Sequence, residues 1–295
     1  MEYGRLYTAM VTPMYDDEKV NYHQAGVLAN YLIENGSDGV VVAGTTGEAP
    51  LLTYKEKIEL FKVVKEAVDG RGHVIAGTGG NETAEVVEMT RDAEDLGCDA
   101  SMLVVPYYNK PPQDLIYKHF KMVAEVSRKI PIILYNIPGR AAVNMLAETT
   151  AKLFEDFPNI NAIKEAAGSI EQIMEIKRLT NNKMKLFSGD DSMALPMLSM
   201  GGQGLISVSS HVIGKELKEM IEAFIAGDID KAIKMNDDLY PVIKSMFLTT
   251  NPIPVKTAMN LLGLEAGPMR MPMELASGKI LEDLTASLKE FGLKI

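Results

Sequence analysis

Short apolar segments alternate with amphipathic segments through most of the chain. The apolar segments are compact and rich in β-branched residues, which is typical of parallel strands buried on both faces. We predict strands at about 5–14, 39–43, 73–77, 100–105, 132–136, 160–164, 183–188 and 203–208. Eight such strands alternating with eight helices, at roughly 25 to 30 residues per unit, predict an α/β fold, a closed (β/α)8 TIM barrel. An open doubly wound sheet is the alternative.

The chain beyond about residue 228 follows a different pattern. No strand-like segment recurs, and apolar residues at helical spacing occur at about 229–247, 255–262 and 279–291. We therefore expect a C-terminal helical extension. The boundary is placed near Gly227, which gives a TIM-barrel catalytic domain at 1–227 and a helical domain at 228–295.

The charge and cysteine content limit the partners of this chain. A formal net charge of -10 argues against nucleic acid or an anionic membrane surface, since both require clustered positive charge. No apolar run has membrane-spanning length, and the N terminus lacks the basic flank and apolar run of a signal peptide. The single cysteine, Cys98, cannot form an internal disulfide. We expect a cytoplasmic protein that acts on small molecules.

Polar residues follow every predicted strand. In a TIM barrel the carboxyl ends of the strands form the active site, so these residues should face one cup. They occupy positions 12–13, 44–48, 77–79, 106–109, 135–136, 164–165, 188–190 and 207–209.

Lys164 ends the predicted sixth strand. An ammonium group in apolar surroundings loses hydration, so its pKa falls toward neutrality. A neutral lysine in a closed pocket can condense with a ketone or an aldehyde to form a Schiff base. The alternatives are a salt bridge to Glu165 and a solvent-facing strand end, but a rim of hydroxyl groups around Lys164 favours the Schiff base.

Formation and breakdown of an imine require proton transfer. Tyr135 ends the strand before that of Lys164, and adjacent strands lie about 4.8 Å apart, so its phenol is our first candidate for a proton shuttle. The alternative for Tyr135 is a rim aromatic residue that packs against a loop.

Two further features are suited to carboxylates. The turn Gly-Thr-Thr-Gly at 44–47 offers backbone N–H groups and two hydroxyl groups to a carboxylate or small phosphate. It is not a nucleotide-binding loop, because Glu48 stands where that motif has a lysine. Arg140 follows the fifth strand and could hold a second carboxylate through its planar guanidinium, although such an arginine is more often solvated.

The pattern does not favour a metal site or a serine hydrolase. Asp190 and Asp191 are interpreted as a helix cap, and no Gly-x-Ser-x-Gly elbow is present. The histidines show no metal-binding spacing; they are His23, His73, His119 and His211.

Six motifs together indicate a family. They are Gly-Thr-Thr-Gly-Glu at 44–48, Tyr-Asn-Ile-Pro at 135–138, Ile-Lys-Glu-Ala at 163–166, Ser-Gly-Asp-Asp at 188–191, Ile-Ser-Val at 206–208 and Asn-Pro-Ile-Pro-Val-Lys at 251–256. In order and spacing, over essentially the whole chain, they resemble the dihydrodipicolinate synthase and N-acetylneuraminate lyase family of pyruvate-dependent class I aldolases. Arg140 makes the chain most similar to the family's synthases, which condense pyruvate with aspartate semialdehyde in lysine and diaminopimelate biosynthesis.

The resemblance implies roles for the catalytic residues. Lys164 would be the imine nucleophile and Tyr135 the proton donor and acceptor, while Thr45 and Tyr108 would complete a proton relay. In the family, the tyrosine that matches Tyr108 reaches in from the neighbouring subunit. This implies a homo-oligomer, at least a dimer and usually a dimer of dimers, or homotetramer. No metal or organic cofactor is required, because the protonated imine is the electron sink.

The resemblance also implies a set of substrate-binding residues. Thr46 and the amides of its turn would bind the pyruvate carboxylate, with the backbone of Ile206 and Gly189 contributing to the same pocket. Arg140 would hold the carboxylate of the semialdehyde. Three departures from the family, Ala49, Ala141 and His211, concern specificity rather than the nucleophile.

Feedback by lysine is a separate question. Asn81, Glu85 and Tyr107 match the family's lysine-binding positions, but Tyr54 and Lys57 stand where regulated members often carry histidines. A positive charge at Lys57 would repel a cationic ligand. We predict weak or absent inhibition by lysine.

Two other functions are consistent with the same residues. The first is a pyruvate-dependent aldolase for a 2-keto-3-deoxy sugar acid, which shares the imine chemistry and differs only in the second pocket. The second is a non-catalytic barrel that binds a keto acid, which is expected to lack Lys164 or Tyr135.

Overall fold

Eight parallel strands close into a barrel in chain order in the computed structural model, which describes all residues, 1–295. The strands are β1 Leu6–Ala9, β2 Gly39–Val42, β3 His73–Gly77, β4 Ala100–Val104, β5 Ile132–Asn136, β6 Ile160–Glu165, β7 Lys185–Ser188 and β8 Gly204–Ser207. β8 pairs with β1, which closes the sheet. The predicted TIM barrel is confirmed, and the open doubly wound sheet is wrong.

Helices surround the barrel and continue after its last strand. Around the barrel they are α1 Tyr22–Glu34, α2 Tyr54–Val68, α3 Thr83–Asp95, α4 Gln113–Ala124, α5 Pro138–Ala141, α6 Ala147–Asp156, α7 Ile170–Leu179, α8 Ala194–Ser199 and α9 Ser210–Ile225. The predicted C-terminal helices are α10 Ile229–Ser245, α11 Ile253–Leu261 and α12 Gly278–Glu290. None of the helices combines the length and apolar character needed to cross a bilayer.

Local sequence signals explain several of these boundaries. Thr53 and Glu56 form a reciprocal capping box at the start of α2, with Thr53 N donating to Glu56 Oε2 over 2.8 Å. Between β5 and α6, Pro138 opens a separate short helix, α5, in addition to the eight helices expected to alternate with the strands. That helix carries Arg140 back toward the barrel axis.

The barrel interior is filled by alternate residues of the strands. Tyr7 of β1 and Phe187 of β7 pack edge to face inside the barrel, with ring centroids 5.6 Å apart. On β5 and β6, Ile133 and Ala162 belong to the same interior cluster. Since side chains alternate along a strand, the residues two positions later, Tyr135 and Lys164, also point inward and toward the carboxyl end.

The C-terminal extension does not have a core of its own. Leu239 of α10, Met259 of α11 and Leu284 of α12 belong to one buried cluster with barrel residues such as Val40. We propose the boundary at Gly227 because α9 ends at Ile225 and the next helix begins two residues after the glycine. The shared core indicates that the extension is fixed to the barrel.

Candidate active site

Lys164 lies inside the barrel near the carboxyl end of β6, with 4% of its surface exposed. Burial lowers the pKa of its ammonium group to about 8, because desolvation disfavours the charged form. The nearby Arg140 guanidinium also lowers this pKa, whereas the Asp191 carboxylate raises it. A substantial fraction of the amine is therefore neutral, and so nucleophilic, at mildly alkaline pH.

Glu165, the next residue, is held away from Lys164. Its carboxylate accepts hydrogen bonds from Ala167 N at 2.7 Å, Gln172 Nε2 at 2.9 Å and Asn136 Nδ2 at 3.1 Å. Lys164 forms no salt bridge, so the predicted alternative of a Lys164–Glu165 pair is wrong. The other alternative, a solvent-facing lysine, is excluded by burial.

Tyr135 is the immediate neighbour of Lys164 across the sheet. The two residues are paired in the β5–β6 register, and Lys164 Nζ lies 4.4 Å from the centroid of the Tyr135 ring. Burial raises the pKa of the Tyr135 phenol to about 12, although Arg140 and Thr45 act in the opposite direction. The phenol therefore carries its proton at neutral pH and can donate it to a group on Lys164.

The turn at 44–48 contains adjacent free amides. The N–H groups of Gly47, Glu48 and Ala49 donate to carbonyls within the turn, whereas those of Thr45 and Thr46 donate to no group of this chain. Thr46 is buried and Thr45 is half-buried. Adjacent free N–H groups form a concave site suited to an anion.

These residues meet at one cavity of about 70 Å³. Its lining includes Lys164, Tyr135, Thr45, Thr46, Arg140, Gly189, Val208, Phe247 and Asn251. A larger cavity of about 240 Å³ shares Thr45, Tyr135 and Arg140 with it and extends to Lys57 and Tyr107. Together the two cavities can receive a small molecule at Lys164 and a second one beside it.

Gly189 lies directly against the Lys164 side chain. A Cβ atom at this position would lie 3.0 Å from Lys164 Cε and 2.8 Å from the Cβ of Ala166. The close approach leaves room only for glycine. Ile206, by contrast, is buried within β8 opposite Tyr7, and Val208 lines the cavity in its place.

Arg140 is mostly exposed, but it is anchored at the cavity. Its Nη2 donates to the carbonyl oxygen of Asn251 over 2.8 Å. The anchored guanidinium keeps further N–H donors for a carboxylate.

Asn251 was not predicted as a site residue. Its Nδ2 donates to Thr46 Oγ1 over 3.0 Å, and its buried Oδ1 accepts no hydrogen bond within this chain. The Asn-Pro-Ile-Pro-Val-Lys motif marked this segment in the sequence, but the pattern gave no reason to place it beside Thr46.

Asp191 requires a correction, because only Asp190 is a cap. Asp190 accepts from Ser192 N, whereas Asp191 is fully buried and accepts hydrogen bonds from the Ser207 hydroxyl, Val208 N and Ser209 N. Asp191 therefore joins the ends of β7 and β8 beneath the cavity. A cap signal in the sequence cannot distinguish a carboxylate that turns back to its own helix from one that turns toward a neighbouring strand.

Tyr108 lies outside this cavity. Its side chain is 87% exposed, its φ is +73°, and its hydroxyl forms no hydrogen bond within the chain. Within one chain, the structure does not bring Tyr108 together with Thr45 and Tyr135.

The histidines are dispersed through the structure. His23 is exposed, His73 bonds to the Tyr7 hydroxyl and His119 to that of Thr83. His211 accepts from Val11 N at 3.1 Å and lies 2.8 Å from the Val208 carbonyl, and burial lowers its pKa to about 4. A neutral His211 can thus satisfy both backbone groups, which explains this departure from the family pattern.

A buried lysine paired with a tyrosine at the carboxyl end of a TIM barrel defines the Schiff-base class of aldolases. Residues 2–291 match the Dihydrodipicolinate synthetase family. The chain therefore belongs to the dihydrodipicolinate synthetase family.

Individual relatives agree with this assignment. The chain is 51% identical to a 4-hydroxy-tetrahydrodipicolinate synthase from Desulforamulus reducens, over 96% of this chain and 95% of the relative. A crystal structure of DHDPS from Cyanidioschyzon merolae with lysine bound has a TM-score of 0.97 and 46% identity, with 99% of both chains covered. A chloride-inhibited dihydrodipicolinate synthase from Acinetobacter baumannii complexed with pyruvate has a TM-score of 0.94 and 37% identity, again with 99% of both chains covered. The predicted function, that of a 4-hydroxy-tetrahydrodipicolinate synthase, is confirmed by these matches.

Proposed function

We propose that this chain binds pyruvate as an imine on Lys164 and condenses it with aspartate semialdehyde, the entry step to lysine and diaminopimelate. The observation that carries the proposal is the buried Lys164 amine, with its lowered pKa, against the Tyr135 ring. Neither a sugar-acid aldolase nor a keto-acid sensor accounts better for the geometry, and the relatives described above are synthases.

Pyruvate binding begins at the turn. The free amides of Thr45 and Thr46 and the Thr46 hydroxyl bind the carboxylate, with Gly189 and Val208 lining the same pocket. The neutral amine of Lys164 attacks the ketone carbon to give a carbinolamine. Tyr135 donates a proton to its hydroxyl, which leaves as water and produces the protonated imine.

Carbon–carbon bond formation follows. The imine loses a methyl proton to the phenolate of Tyr135, and the resulting enamine attacks the aldehyde carbon. The aldehyde oxygen takes a proton supplied through Tyr135, Thr45 and Tyr108 and becomes a hydroxyl group. Arg140, anchored through Asn251, holds the carboxylate of the semialdehyde during this step. The substrate amino group then attacks the imine carbon, closes the ring and releases Lys164 as a free amine.

The relay requires a second subunit. The exposure of Tyr108 is consistent with a side chain that enters the site of a neighbouring copy, as the family resemblance implies. We therefore propose a homo-oligomer, a dimer at the least and a dimer of dimers in its full form. A cytoplasmic location is also proposed, because the single cysteine, Cys98, is buried and free.

A coupled assay tests the reaction. Purified protein is given pyruvate, aspartate semialdehyde, a dihydrodipicolinate reductase and NADPH, and NADPH consumption is compared for wild type and Lys164→Ala. We expect turnover by wild type and a loss of at least about 10³-fold in the variant, since the covalent step is removed. Lys65→Ala, a partly buried lysine at the opposite end of the barrel, is the matched control and should retain activity.

Borohydride trapping separates the possible failures. If wild type does not consume NADPH but gains the mass of reduced pyruvate on Lys164, the imine chemistry stands and the semialdehyde assignment is wrong. Sugar acids are then the substrates to test. If pyruvate leaves no covalent mass on wild type, the protein is a non-catalytic binder and the proposal is overturned.

A further inference from the structure

A fully buried ion pair joins the C-terminal extension to the substrate-binding turn. Lys256 Nζ of α11 lies 2.7 Å from Glu48 Oε1, and the side chains are 0% and 1% exposed. Burying two charges costs several kcal/mol per ion, so such a pair is weak support for stability alone. The best-attested role of a buried ion pair is to specify one conformation of the segments that it joins.

Glu48 is the residue that ends the turn. It has a left-handed backbone conformation, with a φ of +58°, and precedes the short 3-10 helix Ala49–Leu51. Its other carboxylate oxygen, Oε2, accepts a hydrogen bond from Arg270 N at 3.2 Å. Two parts of the extension therefore hold a carboxylate that lies only two residues from Thr46.

Asn251 forms the second connection from the same segment. Its side chain donates to Thr46 Oγ1 over 3.0 Å, and its carbonyl accepts from Arg140 Nη2 over 2.8 Å. Asn251 and Lys256 are separated by less than two helical turns, and both belong to the Asn-Pro-Ile-Pro-Val-Lys motif. The motif thus contacts both groups proposed to bind substrate carboxylates.

We propose that Lys256, through Glu48, and Asn251, through Thr46, are positioning residues that fix the turn at 44–48 for the pyruvate carboxylate. In this arrangement the C-terminal helices set the affinity for the keto acid although they contribute no atom to the reacting bond. The inference rests on the proposed binding of pyruvate at Lys164.

Three variants test it. Asn251→Ala removes the hydrogen bond to Thr46 and leaves the ion pair intact. Lys256→Met breaks the ion pair, and the double variant Glu48→Gln with Lys256→Met removes both charges so that no unpaired carboxylate stays buried. The control is Lys65→Met, which breaks a 2.8 Å salt bridge to Asp99 near the amino-terminal end of β4.

Each variant is measured in two ways. Intact-mass spectrometry after borohydride reduction gives the pyruvate concentration for half-maximal trapping, and thermal denaturation gives Tm. We expect Asn251→Ala to raise the pyruvate concentration for half-maximal trapping about tenfold, because one hydrogen bond that orients Thr46 is lost. At saturating pyruvate the variant should still be fully trapped. The double variant should regain most of the Tm lost by Lys256→Met but still need about tenfold more pyruvate.

The outcomes distinguish positioning from stability. The inference would be overturned if the double variant recovered its Tm and bound pyruvate with wild-type affinity. Wild-type affinity in Asn251→Ala would also overturn it, because the contacts would then only stabilise the fold. A loss of affinity in Lys65→Met equal to that in the test variants would do the same, because any loss of stability would then weaken binding. If Lys256→Met does not fold, Asn251→Ala and the double variant still decide. If borohydride does not trap pyruvate on the wild-type protein, the proposed imine on Lys164 is wrong. That result is distinct from wild-type affinity in the variants, which would contradict only the positioning role.

Discussion

Lys164 Nζ lies 4.4 Å from the centroid of the Tyr135 ring, on the strand directly paired with its own. The ring face attracts the ammonium form, whereas burial disfavours it and lowers its pKa. On Tyr135 the same burial raises the pKa to about 12. The same burial therefore makes the amine a better nucleophile and keeps the phenol protonated.

The lowered pKa of Lys164 predicts the pH dependence of imine formation. Only the neutral amine attacks the ketone, and below the pKa its fraction falls about tenfold per pH unit. We expect the initial rate of pyruvate trapping by cyanoborohydride to rise with pH and level off near the pKa of about 8. A rate that keeps rising toward pH 10.5, the ordinary lysine value, would contradict the shift. Lys164→Ala, which lacks the reacting amine, gives the background rate of trapping at other lysines.

The same shift predicts a cost to stability. Because the folded-state pKa lies below the unfolded value, folding is disfavoured while the lysine is protonated, and the cost declines as pH rises from about 8 to 10.5. Lys164→Met should therefore raise the free energy of unfolding by up to about 3 kcal/mol at pH 7, with a smaller gain at pH 10. Denaturation at the two pH values checks this. If the variant is less stable than wild type at pH 7, burial of the protonated Lys164 side chain does not destabilise the fold.

The barrel and its lysine could be predicted because both depend on local periodicity. Eight buried apolar segments define the strands, and strand ends face one cup in this fold. The placement of Lys164 beside Tyr135 follows from adjacent strands and from residue parity, so no long-range information was needed.

The support around this pair could not be predicted in the same way. Glu48 and Lys256 are separated by 208 positions, and no periodicity relates them. Asp191 has the sequence signature of a cap, yet tertiary contacts with β8 decide its role. Such contacts depend on how helices and loops pack, and a single sequence does not specify that packing locally.

We expect inhibition by lysine to depend on Lys57, which lines the larger cavity with Tyr107. Burial lowers the pKa of Lys57, and Glu85 acts in the opposite direction. The ammonium form of Lys57 repels a cationic ligand in this cavity. We predict little inhibition by submillimolar lysine, and for Lys57→His about a tenfold lower half-inhibiting concentration. Initial rates at increasing lysine concentration measure this. Lys55→His, an exposed residue on the same helix, should behave as wild type; strong inhibition of wild type would contradict the prediction.

Tyr108 supplies the most direct test of shared sites. If it acts in the neighbouring subunit, a mixed dimer of Lys164→Ala and Tyr108→Phe has one site with both defects and one with neither. Co-expression of two nearly inactive variants should then restore roughly a quarter of wild-type activity under random pairing. If Tyr108 acts within its own subunit, every site in the mixed dimer carries one defect, and activity should not exceed the sum of the two variants. Because Tyr108 is 87% exposed in the single chain and has no hydrogen-bond partner there, we expect restoration.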